Sequence, residues 1–246
     1  MDVSLYQAAA AMHATAQWQD LIAENLTTSQ ISGGRKREIL FSDVEAGRNA
    51  GVPGSPGYVI PTVTTVTNFQ PGELHVSSNP MDFALEGPGF FSVQLPNGQT
   101  AYTRGGEFEL NSQGQLVTNQ GYAVMGNSGP LHFNPGNSDP ITVSPTGEVS
   151  QGQQQVGKLK LVEFKNPGLL TMIGSQDFQS DNPAAVPIPA VSTKVRQGFL
   201  EGANSSPTTE MSGLVTAMRA FEANQKVMQA DSDRMSRTIT ELGGTT

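Results

Sequence analysis

Apolar and small residues repeat with a helical period near the carboxyl end of the chain, from Pro207 to Leu242. Steps of three and four residues alternate, which is the heptad spacing of a helix that lies along another helix. Ser206 suits the N-cap and Pro207 the first turn, and Gly243 and Gly244 end the helix. The ten positions of this heptad stripe are Met211, Leu214, Met218, Phe221, Gln225, Met228, Ser232, Met235, Ile239 and Leu242.

A second helix is predicted at the amino end, from Ser4 to about Thr28, because two neighbouring stripes make a broad apolar face there. One stripe runs through Leu5, Ala8, Met12, Thr15, Gln19, Ile22 and Leu26, and the other through Ala11, Ala14, Trp18, Leu21 and Asn25. The carboxyl-terminal helix has a further stripe of small residues, which favours close approach of another helix: Ala220, Ala223, Val227 and Ala230. Both helices are therefore expected to have helical partners. A helix pair within one globular core would give the same spacing.

Between the helices, the segment from Pro71 to about Phe199 alternates short apolar runs with turn residues such as Pro96-Asn97-Gly98. Strands at short spacing with no helical segment between them predict an antiparallel β body. The preceding segment, Ile31 to Gln70, is rich in Gly and Pro and has no sustained period. Within it, the run Tyr58 to Phe69 is typical of a strand, and Arg35 to Arg37 is interpreted as a solvated basic face.

These patterns predict an α+β protein in which long N- and C-terminal helices form a coiled-coil-like helical domain beside a central antiparallel all-β domain. The predicted helical domain is discontinuous, comprising residues 1–30 and 205–246. Residues 31–70 are expected to form an extended linker, and residues 71–200 the β domain.

The composition of the chain argues against several classes of function. The 246-residue chain has a net charge of −8, which gives no electrostatic support to nucleic-acid binding. It has no cysteine, which excludes disulfides and thiolate metal sites. No apolar run approaches the length of a membrane span. The first residues lack a charged segment followed by an apolar core, so no cleavable signal peptide is expected.

The sequence shows no recognisable motif for catalysis, metal binding or cofactor binding. The three histidines, His13, His75 and His132, lie in different segments without a nearby ligand at metal spacing. Gly87-Pro88-Gly89 lacks the Lys-Ser/Thr pair and following helix of a phosphate loop and is interpreted as a strand turn. The sequence therefore predicts no catalytic, metal-binding or cofactor-binding residue and no cofactor. An enzyme would need a convergent cluster of titratable side chains in a pocket.

Four ordered blocks resemble the flagellar basal-body rod and hook protein family. The first is Ile22 to Leu26, followed by Phe41 and Asp43, and the second is Asn79 to Phe91. The third comprises Tyr102 to Phe108 and Gly114 to Thr118, and the fourth comprises Gln197 to Glu201 and Arg219 to Lys226. The chain departs from the family pattern around the helix ends, at Glu24, Thr27, Thr28, Gly34, Ser205 and Ser206, where, for example, the family usually has an aromatic residue in place of Gly34.

The resemblance implies a non-enzymatic structural subunit that polymerises through its terminal helices into the axial rod of the basal body, in the periplasm. It implies partners among copies of itself and other rod or hook subunits, and export through the flagellar apparatus without signal cleavage. The alternative is a β-domain binding module for cell-wall glycan whose helices form only a closed dimer. The residues expected at the assembly interface are Val3, Leu5, Met12, Ile22, Leu26, Met211, Leu214, Met218, Phe221, Met228, Met235 and Ile239.

Overall fold

The computed structural model describes residues 3–46 and 58–243, with side chains described for residues 7–42 and 62–241. The chain divides into two compact units. The helical unit comprises Met1–Leu26, Arg37–Val66 and Pro207–Thr246, and the β unit comprises Thr27–Lys36 and Thr67–Ser206. The chain therefore passes between the units four times.

Within the described residues, the helical unit contains two helices and two strands. Helix α1 spans Val3–Thr28 and helix α2 spans Pro207–Gly243, which agrees with both predicted terminal helices. Strands β1 (Arg37–Ala46) and β2 (Tyr58–Thr67) pair as a two-stranded sheet. The strand predicted from Tyr58 is confirmed, whereas β1 lies in the predicted extended linker and was not foreseen.

Helix α1 has one broad buried face, to which both predicted stripes contribute. Ala8, Thr15 and Ile22 come from the first stripe, and Ala14, Leu21 and Asn25 from the second. Ala and Thr are small, so this face allows close approach of neighbouring backbone. The exposed side of the helix is mostly polar and includes His13, Gln17 and Asp20.

The first half of the β unit contains β3 (Leu74–Val76), β4 (Phe83–Glu86), β5 (Phe90–Gln94), β6 (Thr100–Thr103), β7 (Phe108–Leu110), β8 (Leu116–Thr118), β9 (Ala123–Gly126) and β10 (Gly129–Pro130). The second half contains β11 (Ile141–Val143), β12 (Glu148–Gln151), β13 (Gln154–Lys158), β14 (Leu161–Phe164), a 3₁₀ turn (Pro167–Leu169), β15 (Thr171–Met172), β16 (Asp177–Gln179), β17 (Pro187–Pro189), β18 (Lys194–Gln197) and β19 (Phe199–Glu201).

Strand pairing in the β unit is antiparallel throughout the described residues, which confirms the predicted antiparallel β body. The largest sheet has the order β15-β16-β6-β5-β9-β8-β7, with β10 added to β9 and the pair β14 and β17 joined through β5. A three-stranded sheet, β11-β12-β13, and the pairs β4-β18 and β3-β19 complete the unit. The last two pairs join strands from opposite ends of the β sequence, so its ends are held together.

Aromatic side chains fill the two apolar cores of the β unit. The larger core includes Phe83, Phe91 and Phe108, and the smaller one includes Phe90 and Phe178. Phe91 and Phe108 meet edge to face, with ring centroids 5.1 Å apart, a favoured geometry for aromatic pairs. Both sides of β5 are buried, since Phe90 to Val93 are all withdrawn from solvent.

The predicted Pro96-Asn97-Gly98 turn is confirmed between β5 and β6. Gly98 has a φ of +81°, a backbone conformation that residues with a side chain rarely adopt. The amide of Gly98 donates to the carbonyl of Leu95, and the amide of Leu95 donates to the carbonyl of Gln99, which closes the hairpin.

Candidate functional site

Helix α2 has one buried side. The residues on this side form a stripe that is rotated about the helix axis relative to the predicted heptad stripe. Seven of the buried and half-buried positions of α2 follow alternating steps of four and three residues, and Gly213 and Ala220 beside them are also half-buried. This inner stripe consists of Glu210, Leu214, Ala217, Phe221, Asn224, Met228 and Asp231. Only Leu214, Phe221 and Met228 belong to both the inner stripe and the heptad stripe. Six of the other seven heptad positions are exposed, and the side chain of Leu242 lies outside the described residues.

The flank of α2 next to the inner stripe presents apolar side chains to solvent. Met211, Val215 and Met218 are 57, 49 and 51% exposed and lie within two turns of one another. We refer to these three residues as the outer face. Single exposed apolar residues are common on proteins, but a contiguous apolar patch marks an interaction surface more often. The outer face is therefore the strongest candidate for a contact surface on α2.

The last turns of α2 are exposed on every side. Each residue from 232 to 241 is exposed, including Met235 and Ile239, and Ile239 is 66% exposed. A helix with no packed face is marginal in water, since most helical stability in proteins comes from tertiary packing. The end of α2 therefore has apolar positions that its own unit, as far as it is described, does not cover.

The two helices meet near the start of α2. A Cβ built on Gly213 would lie 3.5 Å from Cδ1 of Ile22, so Gly213 faces that side chain at ordinary contact distance. One turn further along α1, Nδ2 of Asn25 lies 3.4 Å from Oε2 of Glu210. Ile22 and Asn25 thus mark the part of α1 that contacts α2.

Asn25 also fixes the first residue of β1. Its Oδ1 accepts a hydrogen bond of 2.9 Å from the amide of Arg37, and its Nδ2 donates one of 2.8 Å to the carbonyl of Arg37. The Arg37 guanidinium pairs with Glu24 at 2.8 Å and donates to Thr65 on β2 at 3.0 Å. Asn25 and Arg37 together therefore connect α1, β1, β2 and α2 within the helical unit.

The twelve residues predicted at the assembly interface fall into four groups. The side chains of Val3 and Leu5 lie outside the described residues. Ile22 is buried within its own chain. Half-buried members are Met12, Leu26, Leu214, Phe221 and Met228, and exposed members are Met211, Met218, Met235 and Ile239. The role of all twelve in assembly stays a prediction.

A buried ionic cluster in the β unit corrects the interpretation of Arg35 as part of a solvated basic face. Arg35 is 1% exposed, and its Nη2 lies 2.6 Å from Oε1 of Glu201. Nη1 of Arg104 lies 3.1 Å from Oε2 of the same carboxylate, and the amide of Gly72 donates to Oε1 at 2.9 Å. One carboxylate therefore joins the segment after α1, a central loop and the last strand before α2.

Burial determines the electrostatics of this cluster. It lowers the pKa of the Arg104 guanidinium from its ordinary value to about 10, since desolvation disfavours the cation, while the Glu201 carboxylate acts in the opposite direction. Arg104 also lies over the Phe90 ring, with Cζ 5.2 Å from the ring centroid. The cluster is thus a buried structural pair of arginines on one acid, packed against the aromatic core.

Asn204 joins three backbone segments of the β unit. Its Oδ1 accepts from the amide of Lys36 at 2.6 Å, and its Nδ2 donates to the carbonyls of Asn68 and Gln70 at 2.8 and 2.9 Å. These segments adjoin three of the four points at which the chain passes between the units. Gly34, beside them, has no room for a side chain, since a Cβ there would lie 2.5 Å from the carbonyl oxygen of Thr28.

Sequence reasoning did not single out Asn25, Arg104, Glu201 or Asn204. Three of them stand inside blocks that resemble the rod and hook proteins: Asn25 in the first, Arg104 in the third and Glu201 in the fourth. Their position inside these blocks was the feature of the sequence that could have drawn attention to them. It did not show that Arg104 and Glu201 would form a pair across 97 residues of chain.

Within the described residues, no set of three or more His, Cys, Asp or Glu side chains is arranged to hold a metal ion. In the same part of the chain, no helix is both long and apolar enough to cross a membrane. The exposed apolar outer face of α2 is the candidate site.

Comparison with known proteins agrees with this arrangement. Residues 84–151 match the family model described as the flagellar hook protein FlgE/F/G D1 domain. Residues 196–242 match the model described as the flagellar basal body rod FlgEFG protein C-terminal region. The first match lies in the β unit, and the second runs from β18 through nearly all of α2.

Curated relatives extend the similarity to almost the whole chain. The flagellar basal-body rod protein FlgG of Borreliella burgdorferi is 32% identical, covering 94% of this chain and 95% of the relative. FlgG of Buchnera aphidicola subsp. Schizaphis graminum is 31% identical, covering 91 and 93%. The flagellar basal-body rod protein FlgF of Mesorhizobium japonicum is 30% identical, covering 99% of both chains.

These matches are to structural proteins of the bacterial flagellum. The chain belongs to the flagellar basal-body rod and hook protein family, as the four sequence blocks predicted. The alternative of a glycan-binding module receives no support from the comparisons.

Proposed function

We propose that the protein is a non-enzymatic structural subunit of the bacterial flagellar basal-body rod, which polymerises through its terminal helices into the axial drive-shaft. The observation that carries this proposal is the outer face of α2, where Met211, Val215 and Met218 remain exposed although the inner stripe next to them is packed. The names of the relatives, rod proteins FlgG and FlgF, support the same assignment.

The exposed apolar area gives the driving force for assembly. Burying apolar surface contributes about 25 cal/mol per Å² removed from water, so a subunit gains when a neighbouring copy covers the outer face. Among the described residues, the inner stripe is buried or half-buried, whereas the outer face is about half exposed. The proposal therefore assigns the inner stripe to the fold of one subunit and the outer face to contacts between subunits.

The uncovered end of α2 extends this surface. Met235 and Ile239 continue the heptad spacing beyond the packed part of the helix. In the proposed rod, the helices of residues 1–30 and 205–246 form a coiled-coil-like axial domain in which copies cover these positions. The subunit reaches the periplasm through the flagellar export apparatus without signal cleavage, and its other partners are further rod and hook subunits.

The test introduces charge into the outer face without touching the packed side of the helix. In the double variant Met211→Glu, Met218→Glu, the proposal expects a folded protein that is missing from purified basal bodies and cells that lose motility. The matched control is Val191→Glu in the β unit, since Val191 is 92% exposed and also apolar. Normal recovery of the double variant in basal bodies would overturn the proposal.

A further inference from the structure

Among the side chains that the structure describes, exposed methionines are confined to helix α2. Eight of the nine methionines have described side chains, and three of these are exposed: Met211, Met218 and Met235. All three lie on α2. The other five are half-buried: Met12, Met81, Met125, Met172 and Met228. Since oxidants act first on accessible thioethers, α2 is the most reactive thioether surface of the described residues.

We propose that Met211, Met218 and Met235 are modification sites, at which peroxide-class oxidants convert the side chains to sulfoxides and prevent assembly. This inference rests on the proposed function, because it requires α2 to contact other copies. The inference is specific to this chain, because sensitivity to peroxide requires methionine at these three positions and the fold alone does not supply it.

The chemical step balances with peroxide as the only co-reactant. The methionine sulfur donates an electron pair to one peroxide oxygen, so that an S–O bond forms while the O–O bond breaks. Sulfur is oxidised by two electrons and the peroxide is reduced by two. The proton of the transferred hydroxyl passes to the leaving hydroxide, which becomes water. The product is a sulfoxide, which methionine sulfoxide reductases return to the thioether.

Oxidation would make the outer face of α2 more polar, and this is the surface proposed to contact other copies. Met211 and Met218 are one heptad apart with Val215 between them, so two sulfoxides would flank the only remaining apolar member of the outer face. A sulfoxide oxygen buried in a contact without a hydrogen-bond donor is unfavourable. The packed side of α2 keeps its contacts, since Ala217 is fully buried and Met228 is half-buried.

The experiment treats the purified full-length chain with hydrogen peroxide. Peptide mapping by mass spectrometry follows each methionine, and sedimentation velocity follows assembly. We expect Met211, Met218 and Met235 to be oxidised before Met125 and Met172, with loss of the assembled species and an unchanged far-UV circular dichroism spectrum. Oxidation of the three α2 methionines without loss of assembly would overturn the inference, as would earlier oxidation of Met125 and Met172.

A variant series locates the effect. In Met211→Leu, Met218→Leu, Met235→Leu, the amount of assembled protein is compared before and after peroxide, and we expect it not to change on treatment. The matched variant Met125→Leu, Met172→Leu should remain peroxide-sensitive. A triple variant that loses assembly on treatment as the wild type does would place the effect elsewhere and contradict the inference.

Enzymatic repair gives a measurement that is independent of the substitutions. Methionine sulfoxide reductases added to the oxidised wild-type chain should restore the assembled species, and failure to restore it after complete reduction would contradict the inference. A reduced wild-type chain that never assembles would instead contradict the proposed function, while the peptide map would still decide which methionines react first.

Discussion

The Arg35 guanidinium lies 2.6 Å from the Glu201 carboxylate, and both side chains are almost completely withdrawn from solvent. The other oxygen of the same carboxylate receives Arg104. Two buried cations thus depend on one acid. Because Arg35 follows α1 in the chain and Glu201 precedes α2, this acid fixes both helix-flanking segments to the β unit.

Replacing Glu201 tests this dependence. Glu201→Gln leaves two buried guanidinium groups without their counter-charge, and breaking a buried pair in this way costs about 3–5 kcal/mol. We expect a large fall in the midpoint of urea unfolding. The control is Glu86→Gln, which removes the half-exposed Arg196–Glu86 pair and should cost about 0–1 kcal/mol. Equal effects of the two substitutions would contradict the structural role of Glu201.

Asp177 predicts a pH dependence of stability. Burial raises the pKa of its carboxyl above the ordinary 3.8, with a hydrogen bond from Thr103 acting the other way. Because the pKa of Asp177 is raised in the folded state, the protonated carboxyl contributes stability that is fully present below pH 3.8. This stability is lost as the pH rises through the folded-state pKa. Asp177→Asn should therefore stabilise the protein at pH 7, and the gain should shrink as the pH falls towards 3.8. Urea unfolding at a series of pH values checks this; a gain that grows on acidification would contradict it.

Asn25 should stabilise the start of β1. Asn25→Ala leaves the amide and carbonyl of Arg37 without their side-chain partners, which costs about 1–3 kcal/mol for buried groups. We expect the Arg37 amide to exchange hydrogen faster, as measured by exchange mass spectrometry or NMR. The control Gln17→Ala changes an exposed residue on the same helix and should leave this exchange rate unaltered. Unchanged protection in Asn25→Ala would show that the amide is held by other contacts.

Two glycines should respond oppositely to alanine. A Cβ at Gly213 meets Ile22 at 3.5 Å, an ordinary contact, so Gly213→Ala should stabilise α2 by about 0.5–1 kcal/mol. A Cβ at Gly106 would lie 1.6 Å from the carbonyl oxygen of Phe83, so Gly106→Ala should be strongly destabilising. Thermal unfolding of the two variants gives the comparison. A destabilised Gly213→Ala would mean that the helices cannot accommodate a methyl group between them.

The sequence predicted α2 well because its boundaries depend on local chemistry, with Pro207 in the first turn and Gly243 at the end. It did not predict which side of the helix would be packed. The inner stripe contains the polar residues Glu210, Asn224 and Asp231. A pattern of apolar positions therefore does not identify it. Two stripes with the same period differ only by rotation, and tertiary contacts decide between them.

The ionic cluster could not be predicted for a different reason. Arg35 stands beside Lys36 and Arg37, and a run of three basic residues is usually solvated. Its acidic partner lies 166 residues away, and no local pattern connects two positions at that separation. By contrast, the Pro96-Asn97-Gly98 turn was predictable, since a hairpin turn depends on residues adjacent in the sequence.

The most direct test of the account is sedimentation velocity of the full-length chain over a concentration series, with the Met211→Glu, Met218→Glu variant beside the wild type. We predict that the wild type grows without a fixed limit as concentration rises, because helical polymerisation uses head-to-tail contacts that do not close, while the variant remains monomeric. A wild type that stops at a closed dimer, or a variant that grows equally well, would contradict it.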